Sequence, residues 1–500
     1  MGMKVMLSAV ALLAIGAAPA PKLDPDTAAW WAMTAQLSND AMEGRDTGSP
    51  AYLRAAKLVA AKFQAAGLKP AGDNGTWFQN VPMHEIRVTS ATVSVDGRPL
   101  RFLHDFTISP GARTPASVDA PLAYGGYCGA GSLGDVRGRI VICHGTHRAG
   151  LPSGAEREAA VRAARAIGMF TIADPGFTVE PPRWPYAYAR TVTLATDPLK
   201  PDPFLRMTLN AASLRKLLAG SGRNASALIA AGSAGTPLPS FAIPGRFRAQ
   251  FNLAQRNISS PNVLAYMPGS DPRFANQAIV LSAHLDGYGY GQPVNGDRIY
   301  NGTLDDAAYV ALLIRLAQRT HGHPYRRPIL FAAWTGEEKG LLGSRWFIAH
   351  PTIPKSRLAG DINLDQLRPI FPLKLLTIHA LDETTLGADA REVAHSLGIE
   401  VQRDPEPERN LLQRSDQWPF LQAGIPATAF VFGYRPGSKS EQVYRQWYRT
   451  GYHKPQDDLK QPMDFKAAAD FNRFFYALVD RVADQPAAPA WMPDSKLRPR

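Results

Sequence analysis

The stretch Val280-Leu281-Ser282-Ala283-His284-Leu285-Asp286 is an apolar run that ends in a His-x-Asp pair. Outward from it the same device recurs: a hydrophobic or turn-forming segment delivers imidazole or carboxylate at or near its C-terminal end. The others are Asn301-Gly302-Thr303-Leu304-Asp305-Asp306, Phe331-Ala332-Ala333-Trp334-Thr335-Gly336-Glu337-Glu338, Ile362-Asn363-Leu364-Asp365 and Tyr452-His453-Lys454-Pro455. From residue 262 onward, strand patterns (278–282, 328–334, 358–364, 375–379, 427–432) alternate with helical ones (307–319, about 465–480). Such alternation predicts an α/β fold with a mixed, mainly parallel sheet flanked by helices. Sites in such sheets form at the carboxyl ends of strands, which is where these ionisable residues fall.

Each residue alone has an ordinary explanation. Asp305 or Asp306 could cap the following helix, a Glu-Glu pair is usually a solvated turn, and one His beside a turn is unremarkable. Together they read as a metal centre. Zinc accepts imidazole nitrogen and carboxylate oxygen, and catalytic sites keep a position for water. Two zinc ions ~3.5–4 Å apart can share a carboxylate, which takes about five protein ligands plus a separate base. His284, Asp305, Glu338, Asp365 and His453 supply the ligands, and Glu337 is left over as the base. Asp286 is placed to orient His284 as an outer carboxylate.

The 500 residues are enough for two or three domains. There are 55 basic residues against 43 acidic, a formal charge of +12. Lys and Arg are scattered, with no nucleic-acid-binding motif or long basic run, so a basic soluble enzyme is expected and nucleic acid is not a partner. Lys4, the apolar run Val5 to Ile15 and Ala18-x-Ala20 form the pattern of a secretory signal peptide over 1–20, with Pro21 after the cut. Export to the periplasm or medium is expected. No later run is long enough to span a membrane, so no stable insertion is expected. Two cysteines, Cys128 and Cys143, leave a disulfide and two buried thiols both open.

Residues 22–114 open with two amphipathic helices (28–37 and 51–63), the second ending at Gly67, and turn to strands from 81. The loop 42–49 between the helices could border an active site. Residues 115–257 read as a self-contained, strand-rich unit with helices at 155–166 and 212–219, a stiff loop around Pro181, Pro182 and Pro185, and Gly- and Ala-rich coil to Pro239. His144 and His147 in it are expected at the surface. Residues 483–500 form a Pro-rich, loosely ordered tail.

The quoted stretches, in their order and spacing, resemble the M28 family of co-catalytic zinc peptidases, which includes aminopeptidases and glutamate-carboxypeptidase-like enzymes. The carrying residues are Ser282 to Asp286, Gly302 to Ala308, Thr335 to Ser344, Asn363 to Asp365 and Tyr452 to Asp457. The resemblance implies a zinc-exopeptidase (phosphorylase/hydrolase-like) fold over 22–114 and 258–482. It implies His284 and Asp365 on one zinc, Glu338 and His453 on the other, Asp305 bridging, and Glu337 as general base and acid. Tyr452 is similar to a tyrosine that some members aim at the oxyanion; a purely structural tyrosine is the other reading. Residues 115–257 resemble an inserted protease-associated (PA) domain. Asp306 stands where the family often has Asn and Ala308 where it often has Ser, and neither is a ligand position. Arg414 or Asp416 could face substrate. The expectation is an exported dizinc aminopeptidase acting on peptides. The alternatives are a carboxypeptidase or a glutaminyl-cyclase-like enzyme on the same fold, or a non-catalytic, receptor-like binding protein. Oligomeric state is not readable from the sequence.

Overall fold

The protein is described from a computed structural model covering residues 23–172, 184–198, 202–365 and 367–499. The expected signal peptide at 1–20, and Pro181 and Pro182 of the stiff loop, lie outside the described residues.

The centre of the molecule is a run of strands with almost no polar side chains. Ala278–His284, Ile329–Trp334 and Ala427–Phe432 are buried at every position, as strands covered by helices on both faces must be. Ala278–His284 pairs in parallel with Ile329–Trp334 on one side and with Leu358–Asn363 on the other, and the latter pairs in parallel with Ala427–Phe432. Leu375–His379 then adds antiparallel to Ala427–Phe432. The sheet is mixed with a parallel centre, as the alternating pattern implied. The helix Ala308–Arg319 presents Tyr309, Leu312, Leu313 and Leu316 to the core, where they meet Trp30, Tyr52 and Phe63 of the two opening helices Pro25–Ser38 and Pro50–Ala65.

One strand connects this sheet to the rest of the chain. Phe241–Met267 runs for 27 residues: Val263–Met267 lie antiparallel to Ile329–Trp334, and Phe241–Gln250 lie antiparallel to Ser117–Tyr124. Beyond Ser117–Tyr124 the sheet continues in parallel through Ile140–His144, Gly168–Ile172 and Leu205–Leu209. The 115–257 segment shares an apolar cluster with the residues before it: Phe170, Leu205 and Phe247 pack with Val88, Val93, Leu100 and Phe106. Its strands also belong to the same continuous sheet, since one 16-stranded array spans both parts.

Several local expectations change. The stretch read as Gly- and Ala-rich coil contains the helix Ala225–Ala234, because Asn224 caps its N-terminus and Gly235 closes it in the left-handed conformation. His144 is buried, its Nε2 2.7 Å from Tyr124 Oη, with burial lowering the imidazole to about 4; His147 is exposed. The terminal helix extends over Phe465–Asp484, and the residues after it are anchored. Arg327 donates to the carbonyls of Gln485 and Pro486, Trp491 Nε1 donates to Gly424 O at 2.8 Å, and Glu383 gathers Ser495 Oγ and the amides of Lys496 and Leu497. These backbone and indole contacts carry no hydropathy signature, so composition alone suggested a loose tail. Cys128 and Cys143 form a disulfide. No helix among the described residues is long and apolar enough to cross a membrane.

Candidate metal centre

Five separate points of the chain deliver the site. His284 is the last residue of Ala278–His284; Glu337 and Glu338 follow Ile329–Trp334, and Asp365 follows Leu358–Asn363. These three are the carboxyl ends of neighbouring parallel strands. Asp305 sits in the widened turn Thr303–Ala307, ahead of the helix Ala308–Arg319. That turn requires Gly302 in the left-handed region, where a Cβ would come within 2.4 Å of Asp305 O. His453 lies between the helices Lys439–Thr450 and Phe465–Asp484.

The side chains converge in three groups of three: one joins His284 to Glu337 and Glu338, and the other two share Asp305. His284, Asp305 and Asp365 form one, with His284 Nε2 3.3 Å from Asp305 Oδ1 and 3.9 Å from Asp365 Oδ1. Asp305, Glu338 and His453 form the other, with His453 Nε2 3.5 Å from Asp305 Oδ2 and 3.7 Å from Glu338 Oε2. Glu337 Oε2 stands 4.0 Å from His284 Nε2, facing the space between the groups.

The donor set suits two cations. Glu338 Oε1 is buried without a hydrogen-bond partner, which is costly unless something else meets it, and Asp305 Oδ2 has only the ion-pair contacts of Arg368 and His453 at 3.4 and 3.5 Å. Burial and then neighbouring carboxylates push Glu337 well above the usual carboxyl range, and burial with the charge of Asp305 brings Glu338 to about 7. Asp305 behaves oppositely: burial works to raise it, but the Arg368 guanidinium and the two imidazoles outweigh that and hold it well below its ordinary value. A shared carboxylate between two imidazole–carboxylate pairs is a donor set that can hold divalent cations.

Asp286 departs from the expected contact. The nitrogen His284 Nδ1 meets the main-chain carbonyl of Asp286 at 3.0 Å, whereas the carboxylate Oδ1 is 3.8 Å away. The carboxylate instead accepts from the Glu337 amide at 3.0 Å and from Thr47 Oγ1 at 2.8 Å. Asp286 therefore fixes His284 through its backbone and Glu337 through its side chain. The neighbouring Asp306 Oδ2 accepts from His284 N at 3.2 Å. Neither Asp305 nor Asp306 caps the following helix, whose N-cap is Ala307. Tyr452 is buried with its ring stacked on His453 at 3.6 Å between centroids. Asp416 is buried and accepts from Ser344 Oγ, and its charge acts on Glu337; Arg414 is exposed.

Other contributors have no motif of their own. The loop after the first helix does border the site: besides Thr47, the buried Arg45 donates to the carbonyls of Leu37, Leu285, Asn301 and Gly302 at 2.7–2.9 Å. Asp457 accepts from the amides of Leu304 and Asp305 at 2.9 and 3.1 Å, fixing the turn that carries Asp305. Arg368 places Nη2 3.4 Å from Asp305 Oδ2 with its guanidinium over the Trp447 ring. Tyr288 Oη contacts Glu338, and Tyr188 Oη meets His453 Nδ1 at 2.9 Å. An Asp four residues after a proposed ligand was the one sequence signal available for these; the arginines and tyrosines offered none.

Comparison with known proteins gives a consistent picture. The model of peptidase family M28 matches residues 262–479. Leupeptin-inactivating enzyme 1 of Streptomyces exfoliatus is 26% identical over 348 residues, 67% of this chain and 72% of that protein. A probable leucine aminopeptidase 2 of Aspergillus oryzae is 26% identical over 221 residues, 41% of each chain. Among solved structures, a zinc aminopeptidase from Bacillus subtilis superimposes with a TM-score of 0.61 at 17% identity, covering 93% of this chain and 97% of that one. An aminopeptidase from Aneurinibacillus sp. strain AM-1 gives 0.59, also at 17% identity, with 93% and 96% covered. At that identity the superpositions speak for the fold. The matched segment contains both His284 and His453 and every carboxylate between them that converges on the centre, and it is over this segment that the chain is similar to peptidase family M28.

Proposed function

We propose that this protein is an exported dizinc aminopeptidase. The observation that carries the reading is the pair of three-residue groups sharing Asp305, with Glu337 in neither of them and 4.0 Å from His284 Nε2. His284 and Asp365 would hold one zinc, Glu338 and His453 the other, and Asp305 both. The zinc ions, when bound, would lower the pKa of water and polarise the peptide carbonyl. Glu337 takes the proton of the attacking water on its carboxylate and delivers it to the leaving amine nitrogen. Burial, which raises its carboxyl, makes it a stronger base than an exposed glutamate. Asp286 holds the main chain at Glu337, so the base keeps its aim without a ligand's constraint. Tyr452, packed on His453, is the candidate to face the developing oxyanion.

Aminopeptidase rather than carboxypeptidase specificity is supported by the similarity to a probable leucine aminopeptidase. Export is supported by the N-terminal pattern and by a disulfide, which persists in oxidising compartments. The deciding experiment is Glu337→Gln assayed on aminoacyl amides and N-blocked peptides, with metal content measured alongside. Hydrolysis of free-amine substrates is expected to fall about 10²–10⁴-fold while both zinc ions are retained. Undiminished turnover would remove Glu337 from the mechanism; preference for N-blocked substrates would remove the aminopeptidase reading.

A further inference from the structure

His453 turns Nε2 toward Asp305 and Glu338, so Nδ1 faces out of the centre. What meets Nδ1 is Tyr188 Oη, at 2.9 Å. Tyr188 belongs to the helical turn Tyr186–Ala189 of the 115–257 segment, far in sequence from every proposed ligand. The turn is pinned against the centre on both sides. Pro185 bridges to Gly291, and the strand Arg190–Leu194 begins with Arg190, whose guanidinium pairs with Asp46 and Glu85. Tyr188 Oη lies 3.4 Å from Tyr288 Oη, with ring centroids 5.2 Å apart. Tyr288 Oη in turn donates to Glu338 Oε2, and it also stands 3.3 Å from His453 Nε2.

The direction of this chain follows from its end. A carboxylate that holds a cation accepts, and Tyr288 Oη–H donates to Glu338. Tyr288 Oη can then accept from Tyr188 Oη–H, and a lone pair of Tyr188 Oη is left to accept from His453 Nδ1–H. That assignment puts the imidazole proton on Nδ1 and leaves the Nε2 lone pair facing the centre, as a metal ligand needs. We propose that Tyr188 is a positioning residue of the metal centre. Through it the 115–257 segment sets the tautomer and orientation of His453, and the two-tyrosine relay ties His453 to Glu338, the other ligand proposed for the same cation. The inference rests on the two-zinc reading above. It also predicts an asymmetry, because His284 Nδ1 is served by the Asp286 main chain and is independent of Tyr188.

The test is zinc binding to metal-free protein, measured by competition with a chelating dye, on wild type, Tyr188→Phe and Tyr186→Phe. Tyr186 is exposed on the same turn and serves as the control. The expected result is two tight equivalents in wild type and in Tyr186→Phe, and in Tyr188→Phe one equivalent unchanged and one weakened about 10–100-fold. Cobalt substitution should show the visible spectrum of one half of the occupancy altered and the other preserved. Equal, unchanged affinity for both equivalents in Tyr188→Phe would overturn the inference, as would weakening of both alike. If Tyr188→Phe does not fold, Tyr288→Phe cuts the relay at its other end: weakening confined to one equivalent supports the proposal and unaltered binding overturns it. Wild-type protein that takes up no second zinc would instead overturn the two-zinc reading, and the inference with it.

Discussion

Arg45 shows how a residue without a catalytic role can decide whether the site exists. It is fully buried and its guanidinium donates to four carbonyls from three parts of the chain: Leu37, Leu285, and the adjacent Asn301 and Gly302. Burial lowers its pKa to about 10, the nearby Asp457 and Asp286 working against that, so it stays charged at neutral pH. Arg45→Met keeps the approximate volume and leaves those carbonyls without donors in an interior that water does not reach. The expected loss is about 3–5 kcal/mol, read as a fall in the denaturant midpoint with an unchanged slope. A loss below about 1 kcal/mol would mean that the carbonyls find other partners. Arg54, half-exposed beside Glu43 at 3.1 Å, should by contrast change stability by about 0.5 kcal/mol or less when made alanine. This contrast also explains what could be read in advance. His284, Asp305, Glu337, Glu338, Asp365 and His453 announce themselves because chemistry demands those residue types after strands and turns. Arg45, Arg368, Tyr188 and Tyr288 act through three-dimensional proximity to residues tens to hundreds of positions away, and no local pattern encodes that.

At the scale of elements, the parallel strands were legible because their burial on both faces requires unbroken apolar runs such as Ile329–Trp334. The helix Ala225–Ala234 was hidden by glycines that cap and punctuate it, and His144 by a polar side chain whose partner, Tyr124, lies on a neighbouring strand. The cysteines stayed ambiguous for the same reason: spacing cannot tell whether two strands bring them together. The structure places Cys143 on Ile140–His144 and Cys128 in the preceding turn, both fully buried, closing a loop with a sequence separation of 15. Constraining a loop of that size in the unfolded chain stabilises by about 3 kcal/mol. The double variant Cys128→Ser/Cys143→Ser should therefore lower stability by about 2–4 kcal/mol, and the effect should be local. Hydrogen exchange is expected to quicken in Ser117–Tyr124 and Ile140–His144 and to stay unchanged in Ala278–His284. Equal loosening of both regions would mean that the continuous sheet unfolds as one unit.

At the scale of the whole molecule, the metal centre is where distant parts of the chain are joined. The long strand Phe241–Met267 makes one sheet of the two halves, but the sheet alone does not hold the loops that meet above it. Those loops come from the N-terminal segment through Thr47 and Arg45, from the 115–257 segment through Tyr188, and from the C-terminal part through His453 and Asp457. Buried Glu337 and Glu338 lie against Asp305, Asp286 and Asp365, and burial first, then that crowding, raises their carboxyls. Divalent cations bound there would remove the repulsion and tie the loops together at once. Because ligand that binds only the folded state stabilises it by mass action, free zinc at a thousand times its dissociation constant should add about 4 kcal/mol per site. Chelation should therefore abolish hydrolysis and also lower the melting temperature, and added zinc should restore both in parallel. Hydrogen exchange should locate the change: on zinc removal, protection is expected to fall at residues 451–457 and at Tyr186–Ala189 together, because His453 and Tyr188 are bonded. A melting temperature indifferent to chelator would show that the loops are held by their own contacts; a loss of protection at 451–457 without one at Tyr186–Ala189 would show that the 115–257 segment is not coupled to the metal.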